Sequence, residues 1–152
     1  MYKRAESEYG NDSIALLIKI INEAFEKRAN RILRQYNLTF SQARILICLS
    51  IEGDEGHSLK ELEKVFHVTQ QTVAGTVSRL EEKGLVTAFA EKNDKRIKNV
   101  RLTESGKHAI RQIGREIREL ENWLETGLEL QERTDIRILL RKLYERVEQP
   151  RL

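Results

Sequence analysis

The fold is decided by residues 68–106, which read VTQQTVAGTVSRLEEKGLVTAFAEKNDKRIKNVRLTESG. Thr69 is a good helix N-cap, and Gly84 suits the position just after a helix end. Between them, apolar residues recur at spacings of three and four and predict one buried face; they are Val73, Val77 and Leu80. The stretch therefore opens with a helix over residues 70–83.

Two β-prone segments follow this helix. Residues 85–90 and 97–102 are rich in β-branched and aromatic side chains, and the polar residues 91–96 between them favour a turn. The pattern predicts a β-hairpin. We expect a mainly α fold with this small hairpin as a wing.

Two capping boxes lie upstream, at residues 39–42 and 58–61. The first opens an apolar run over residues 43–51, which indicates a short central helix buried on most sides. The second opens a short helix with a core-facing side, formed by Leu59, Leu62, Val65 and Phe66. Helix, turn, helix and hairpin together predict a winged helix-turn-helix lobe over residues 39–103.

Apolar stripes also mark both ends of the chain. Residues 13–36 and 104–128 each carry apolar residues at helical spacing, and a last helix is predicted over 132–147. Stripes at both ends of a 152-residue chain would leave a large exposed patch unless the chain self-associates. We therefore predict a single domain over residues 1–152 that forms a homodimer, with dimerisation helices at 13–36 and 104–147.

Positive charge is concentrated in one short segment. The whole chain has a net charge of +3, and residues 39–106 are neutral, with ten basic and ten acidic side chains. Within them, residues 91–101 hold five basic and two acidic side chains, a net charge of +3. The hairpin tip is therefore suited to phosphates or to a narrow minor groove. The predicted contact residues of the wing are Lys92, Asp94, Lys95, Arg96 and Lys98.

Asp94 is unexpected on a surface that meets a polyanion. It is explained if its carboxylate orients Arg96 or caps the tight turn. The alternative is an ordinary solvated run of charges.

The predicted helix over residues 70–83 has an exposed face with little charge. A helix that reads bases in the major groove needs small polar side chains at its start, and glutamine pairs well with adenine. Gly75 would allow another molecule to approach the backbone closely, at a helix-propensity cost of about 1 kcal/mol. The predicted base-reading residues are Thr69, Gln70, Gln71, Thr72, Gly75, Thr76 and Arg79. Taken alone, the same residues also fit an ordinary surface helix.

Residues 68–106 resemble the DNA-binding core of the MarR (multiple antibiotic resistance regulator) family. The matching features are the helix exit LEEKGLV at 80–86, the Asp94-x-Arg96 motif of the wing and the strand exit LTESG at 102–106. The wing tip differs from the usual pattern, because no proline precedes Asp94. The resemblance extends over essentially the whole chain, since that family also has one long helix before the core and two after it.

The resemblance implies a transcription regulator, a repressor, whose homodimer binds double-stranded DNA at a pseudo-palindromic operator with Arg96 in the minor groove. It also implies a small aromatic or phenolic effector. Residues that could border an effector cavity are Phe25, Arg28, Tyr36, Phe40 and Trp123. Each of them suits ordinary core packing as well, so no ligand residue is assigned.

Other classes of function find little support in the sequence. His57, His67 and His108 lack the spacing of metal ligands, and Cys48 suits a buried structural thiol better than a redox sensor. No nucleophile elbow, P-loop or glycine-rich cofactor motif is present, so neither an enzyme nor a cofactor is expected. No apolar stretch is long enough to span a membrane, and a cytoplasmic location is expected. The alternative hypothesis is a winged-helix module that binds an acidic protein partner.

Overall fold

The computed structural model describes residues 13–91 and 94–149. Over these ranges helices dominate, and the strands form one small antiparallel sheet. In chain order the elements are α1 (Ile14–Leu33), a 3₁₀-helix (Arg34–Tyr36), α2 (Phe40–Glu52), a second 3₁₀-helix (Gly53–Glu55), β1 (His57–Ser58), α3 (Leu59–Phe66), α4 (Gln70–Glu82), β2 (Val86–Ala90), β3 (Lys98–Leu102), α5 (Glu104–Glu125) and α6 (Leu130–Glu148). The predicted fold class, mainly α with a small β wing, is confirmed.

Side-chain caps begin the helices of the predicted lobe. At α2 the Thr39 hydroxyl accepts from the Gln42 amide at 3.2 Å, and the Gln42 side chain accepts from the Thr39 amide at 3.1 Å. At α3 the same reciprocal pair joins Ser58 and Glu61. These bonds satisfy amide groups that the first turn of a helix leaves without partners. Both predicted capping boxes are therefore confirmed.

The first helix ends earlier than predicted. Instead of running to residue 36, α1 ends at Leu33, and the 3₁₀-helix over Arg34–Tyr36 follows it. Asn37 then takes the left-handed conformation, with φ 55°. Asparagine is one of the few residues other than glycine that adopts this conformation at low cost, so it turns the chain towards α2.

The sheet contains a third strand that the hairpin prediction missed. β1 pairs antiparallel with β3, His57 opposite Val100 and Ser58 opposite Asn99, so the strand order is β1-β3-β2. Gly56 makes this pairing possible, because its φ is +73° and a Cβ there would lie 2.3 Å from the Val100 carbonyl oxygen. A two-residue strand is too short to produce an alternating pattern, which is why the sequence did not reveal it.

The core of the lobe forms around α2, which packs against α1, α4 and β3. The buried apolar side chains of residues 29–113 are Ala29, Leu33, Leu38, Ala43, Ile45, Leu46, Leu49, Leu62, Val73, Val77, Leu80, Val86, Val100, Leu102 and Ile113. Two expectations are corrected. Cys48 is only half-buried. Val65 is 49% exposed because it lies to one side of Leu62, the buried residue of α3.

The chain divides into two compact units, Met1–Glu116 and Ile117–Leu152. The second unit contains the end of α5 and all of α6. A capping box between Glu129 and Glu132 begins α6 at Leu130, two residues before the predicted start at 132. Within this unit the Arg133 guanidinium donates to the Leu128 carbonyl at 3.1 Å, which fixes the turn that precedes α6.

Candidate nucleic-acid interface

α4 presents the predicted base-reading residues on a rigid helix. Val73, Val77 and Leu80 are buried and attach one face of the helix to the core. The Thr69 hydroxyl accepts from the Thr72 amide at 3.3 Å and lies 2.9 Å from the Thr72 hydroxyl, so the first turn is capped. Packing of the buried face and the Thr69 cap therefore fix the position of α4 and of its first turn.

The opposite side of α4 is open. Six of the seven predicted reading residues are exposed: Thr69, Gln70, Gln71, Thr72, Gly75 and Arg79. Thr76 is half-buried, and its hydroxyl donates to the Thr72 carbonyl at 2.9 Å. Within residues 13–91 and 94–149, neither glutamine side chain hydrogen bonds to another residue, so both amides are available to a ligand.

Gly75 is not required by packing within the chain. A Cβ built at Gly75 meets no described atom within 4 Å. Its φ also lies outside the left-handed region, because the residue belongs to a regular helix. The helix therefore carries the propensity cost of glycine without a reason inside the described structure. An external molecule that approaches the helix backbone at this point would supply such a reason.

The wing tip is organised by Asp94. Its Oδ1 accepts from the backbone amide of Arg96 at 2.9 Å and from the Arg96 Nε at 3.3 Å. The carboxylate therefore both caps the turn and orients the arginine, as predicted, while the Arg96 side chain stays 93% exposed. Lys95 and Lys98 are exposed beside it. Lys92, the remaining predicted wing residue, lies outside the described residues.

The helix exit and the strand exit form one structure. Gly84 has φ +67° and ends α4 in the left-handed conformation. The Thr103 hydroxyl donates to the Gly84 carbonyl at 2.6 Å and accepts from the Gly106 amide at 3.0 Å. A Cβ at Gly106 would lie 2.0 Å from the Leu85 carbonyl oxygen, so only glycine fits there. The motifs at 80–86 and 102–106 thus join α4, the wing and α5.

Comparison with known proteins agrees with this geometry. A model of the MarR family matches residues 36–97, from the end of the first 3₁₀-helix to the wing. The HTH-type transcriptional regulator SarZ of Staphylococcus haemolyticus is 26% identical over 101 residues, which covers 66% of this chain and 67% of SarZ. Over residues 36–97 the chain is thus similar to the MarR family.

Two solved structures match over most of the chain. The S. aureus MepR–DNA complex superposes with a TM-score of 0.84 at 25% identity, covering 88% of this chain and 98% of MepR. The reduced form of E. coli MarR gives a TM-score of 0.72 at 26% identity, covering 87% and 96%. The winged-helix arrangement is therefore shared with both.

Sequence reasoning missed three cations that the fold brings beside α4 or onto the wing. The Arg44 guanidinium lies 4.8 Å from the centroid of the Phe66 ring and 5.9 Å from that of Phe40. Arg101 lies over Phe89 at 4.9 Å, which stiffens the wing. Lys83 donates to Gln42 at the start of α2. Only the spacing of Phe40 and Arg44, four apart on one helix, was visible in the sequence.

The candidate effector residues mostly have structural contacts. Phe25 and Phe40 pack edge to face with centroids 5.5 Å apart. The Tyr36 hydroxyl donates to Glu116 Oε1 at 3.0 Å, and this hydrogen bond raises the pKa of Tyr36 above its usual value. Trp123 belongs to the second unit. Phe25, Tyr36 and Phe40 thus have contacts within the chain, although all three are only half-buried.

Within residues 13–91 and 94–149, no group of three or more histidine, cysteine, aspartate or glutamate side chains is placed to hold a metal ion. The helices in the same ranges include none that combines the length and the apolarity needed to cross a membrane.

Proposed function

We propose that this chain is a homodimeric transcription repressor that binds a pseudo-palindromic operator in double-stranded DNA. Thr69, Gln70, Gln71, Thr72, Gly75, Thr76 and Arg79 enter the major groove and contact bases or the adjoining backbone. Arg96 enters the minor groove, and Lys92, Lys95 and Lys98 neutralise phosphates around it.

The arrangement at Arg96 is the observation that carries this proposal. An exposed guanidinium that the Asp94 carboxylate holds at a hairpin tip is already oriented before it meets a partner. A preorganised cation loses less side-chain entropy when it binds. The uncharged amides of Gln70 and Gln71 at the start of α4 supply the complementary surface for base edges.

The homodimer is supported by apolar surface at both ends of the chain. On α1, Ile14, Ile18 and Ile21 follow one face and are 57%, 43% and 54% exposed. No residue of α6 is buried in the single chain, although the helix carries Ile136, Leu139, Leu140, Tyr144 and Val147. Apolar stripes of this size are stable in water when a second copy covers them.

Repression, and release of the operator by a small aromatic or phenolic effector, are the part of the proposal that rests on the resemblance to the MarR family. A test is to titrate the protein–operator complex with a panel of phenols and benzoates. Release at concentrations that leave the protein folded supports an effector. No release by any member of the panel would contradict this chemical class.

Selection of DNA from a random duplex library tests the main proposal. We expect a palindrome with half-sites about one helical turn apart, bound with an affinity that falls steeply as salt rises. Arg96→Ala should weaken binding to the selected DNA. Lys142→Ala, which removes one exposed cation from α6, is the control and should weaken binding less. Recovery of no preferred sequence, with capture of an acidic protein instead, would favour the protein-interaction module.

The dimer is tested separately by sedimentation velocity. Ile18→Asp should shift the protein towards a monomer, because it places a charge in the apolar α1 face. Lys19→Asp alters the charge of the neighbouring exposed residue and should leave the dimer intact. A wild-type protein that sediments as a monomer at micromolar concentration would overturn the homodimer.

A further inference from the structure

A cationic groove lies along one flank of α4. Thr72, Thr76, Arg79 and Lys83 form one wall, and the junction between α1 and α2 forms the other, with Arg34 and Ser41. Three lining residues are cationic, and none of the described residues that line the groove is acidic. Every residue involved belongs to the first compact unit.

The two arginines of the groove have no described polar contact that would stabilise the fold. Arg34 and Arg79 are exposed, and within the described part of the chain neither guanidinium makes a hydrogen bond or an ion pair. Lys83 differs, because its ammonium donates to the Asn37 carbonyl and to Gln42 Oε1. Lys83 therefore links the two walls of the groove. Arg34 and Arg79 remain available to bind an anion.

The groove lies on the side of α4 opposite the wing. Residues of a helix are rotated by about 100° each, which places Gln71 and Gly75 between two flanks. On one flank Glu81 accepts from the Ala88 amide of β2 at 2.9 Å, so that flank faces the wing. On the other flank Thr72 and Thr76 line the groove.

A duplex would present phosphates to both flanks. The major groove is about 12 Å wide and is bounded by two sugar–phosphate backbones, so a helix inserted in it has one backbone on each side. The wing supplies cations for one of these sides. The groove supplies a concave, cationic surface, without a carboxylate among its described lining residues, for the other side.

We propose that this groove is a second phosphate-binding surface, in which Arg34, Ser41 and Arg79 hold the DNA backbone on the flank of α4 away from the wing. This inference rests on the proposed DNA-binding function and extends it to Arg34 and Ser41, which lie outside α4 and the wing. Arg34 and Ser41 contact phosphate oxygens and contribute equally to every DNA sequence.

Binding of labelled duplexes, followed by fluorescence anisotropy over a salt series, tests the groove. Arg34→Ala should weaken binding to the operator and to a scrambled duplex by the same factor, about tenfold. The slope of log affinity against log salt should become shallower by about one for each protomer. Arg34→Lys should keep the salt slope, and Ser41→Ala should give a smaller uniform loss without changing it.

Arg111→Ala is the matched control, because it removes an exposed arginine of α5 that does not line the groove. The inference is overturned if Arg34→Ala behaves as Arg111→Ala does, or if its loss of affinity is confined to the operator. Thermal unfolding checks that each variant is folded. If Arg34→Ala is not folded, the salt slope of Arg34→Lys and the uniform loss of affinity in Ser41→Ala test the groove instead. A wild-type protein that binds neither duplex overturns the proposed function, and the groove assignment with it.

Discussion

The ammonium of Lys83 donates a hydrogen bond to Oε1 of Gln42 at 3.1 Å, which joins the end of α4 to the start of α2. The same Gln42 oxygen accepts from the Thr39 amide, so one buried side chain serves both the α2 cap and the tether to α4. The position of α4 relative to the rest of the lobe thus depends in part on this pair.

Replacement of Gln42 should destabilise the lobe. Gln42→Ala removes the acceptor of the Thr39 amide and of the Lys83 ammonium, and we expect the free energy of unfolding to fall by about 1–3 kcal/mol. Urea denaturation measures it. Gln35→Ala, at an exposed glutamine, should change stability by no more than about 0.5 kcal/mol. Equal stability of the two variants would show that the Gln42 bonds contribute nothing.

Removal of Asp94 should weaken DNA binding although it removes a negative charge. Asp94→Ala releases Arg96 from its orienting carboxylate, and we expect affinity for the selected operator to fall about threefold to tenfold. Glu91→Ala is the matched control, because it deletes the other wing carboxylate and should leave affinity unchanged or raise it. If Asp94→Ala instead binds more tightly, as simple electrostatics predicts, then Asp94 does not position Arg96.

Gly75→Ala should move stability and DNA affinity in opposite directions. Since a Cβ at this position meets no described atom within 4 Å, the added methyl group fits the folded chain. Helix propensity should then raise the free energy of unfolding by about 0.5–1 kcal/mol. A backbone or base that packs against Gly75 would clash with the methyl group, and affinity should fall about tenfold. Unchanged affinity would remove the argument for close approach.

The capping box of α3 should make stability depend on pH. Hydrogen bonds from the Ser58 amide and hydroxyl hold the pKa of Glu61 below its usual 4.5. A lowered pKa in the folded state means that this stabilisation is present above about pH 4.5 and is lost as pH falls through the folded-state pKa. Because Glu61 is largely exposed, we expect a contribution of only about 0.5 kcal/mol.

Comparison with Glu61→Gln measures this contribution. The wild-type protein should be more stable than Glu61→Gln at pH 7, and the difference should vanish near pH 3, where a protonated Glu61 resembles glutamine. Glu82→Gln, at an exposed carboxylate of α4, should show no such convergence. A difference that persists at pH 3 would mean that the cap does not depend on the charge of Glu61.

Several features of the site followed directly from local sequence. Thr69 and Gly84 marked the ends of α4, because capping and the left-handed conformation are properties of single residues and their neighbours. The link between Asp94 and Arg96 spans two positions and was also foreseen. Such features depend on interactions over a few residues, which spacing in the sequence reports.

Other features could not be foreseen. β1 has two residues and pairs with β3, which lies about forty positions later in the chain. The groove combines Arg34 with Arg79, and each of these arginines taken alone is an ordinary exposed cation. Nothing in the spacing of these residues indicates that they approach each other, because their proximity depends on how the helices pack.

The sequence by itself determined the caps of α2, α3 and α4, the hairpin and the exposed polar face of α4, since caps, periodicity and turn chemistry act over short stretches. Only the tertiary structure decided what surrounds that helix. The bond between Lys83 and Gln42 joins residues 41 positions apart, and it positions α4 beside the α1–α2 junction and so forms the cationic groove. Packing of the buried faces brings these distant segments together, and no local pattern records the result.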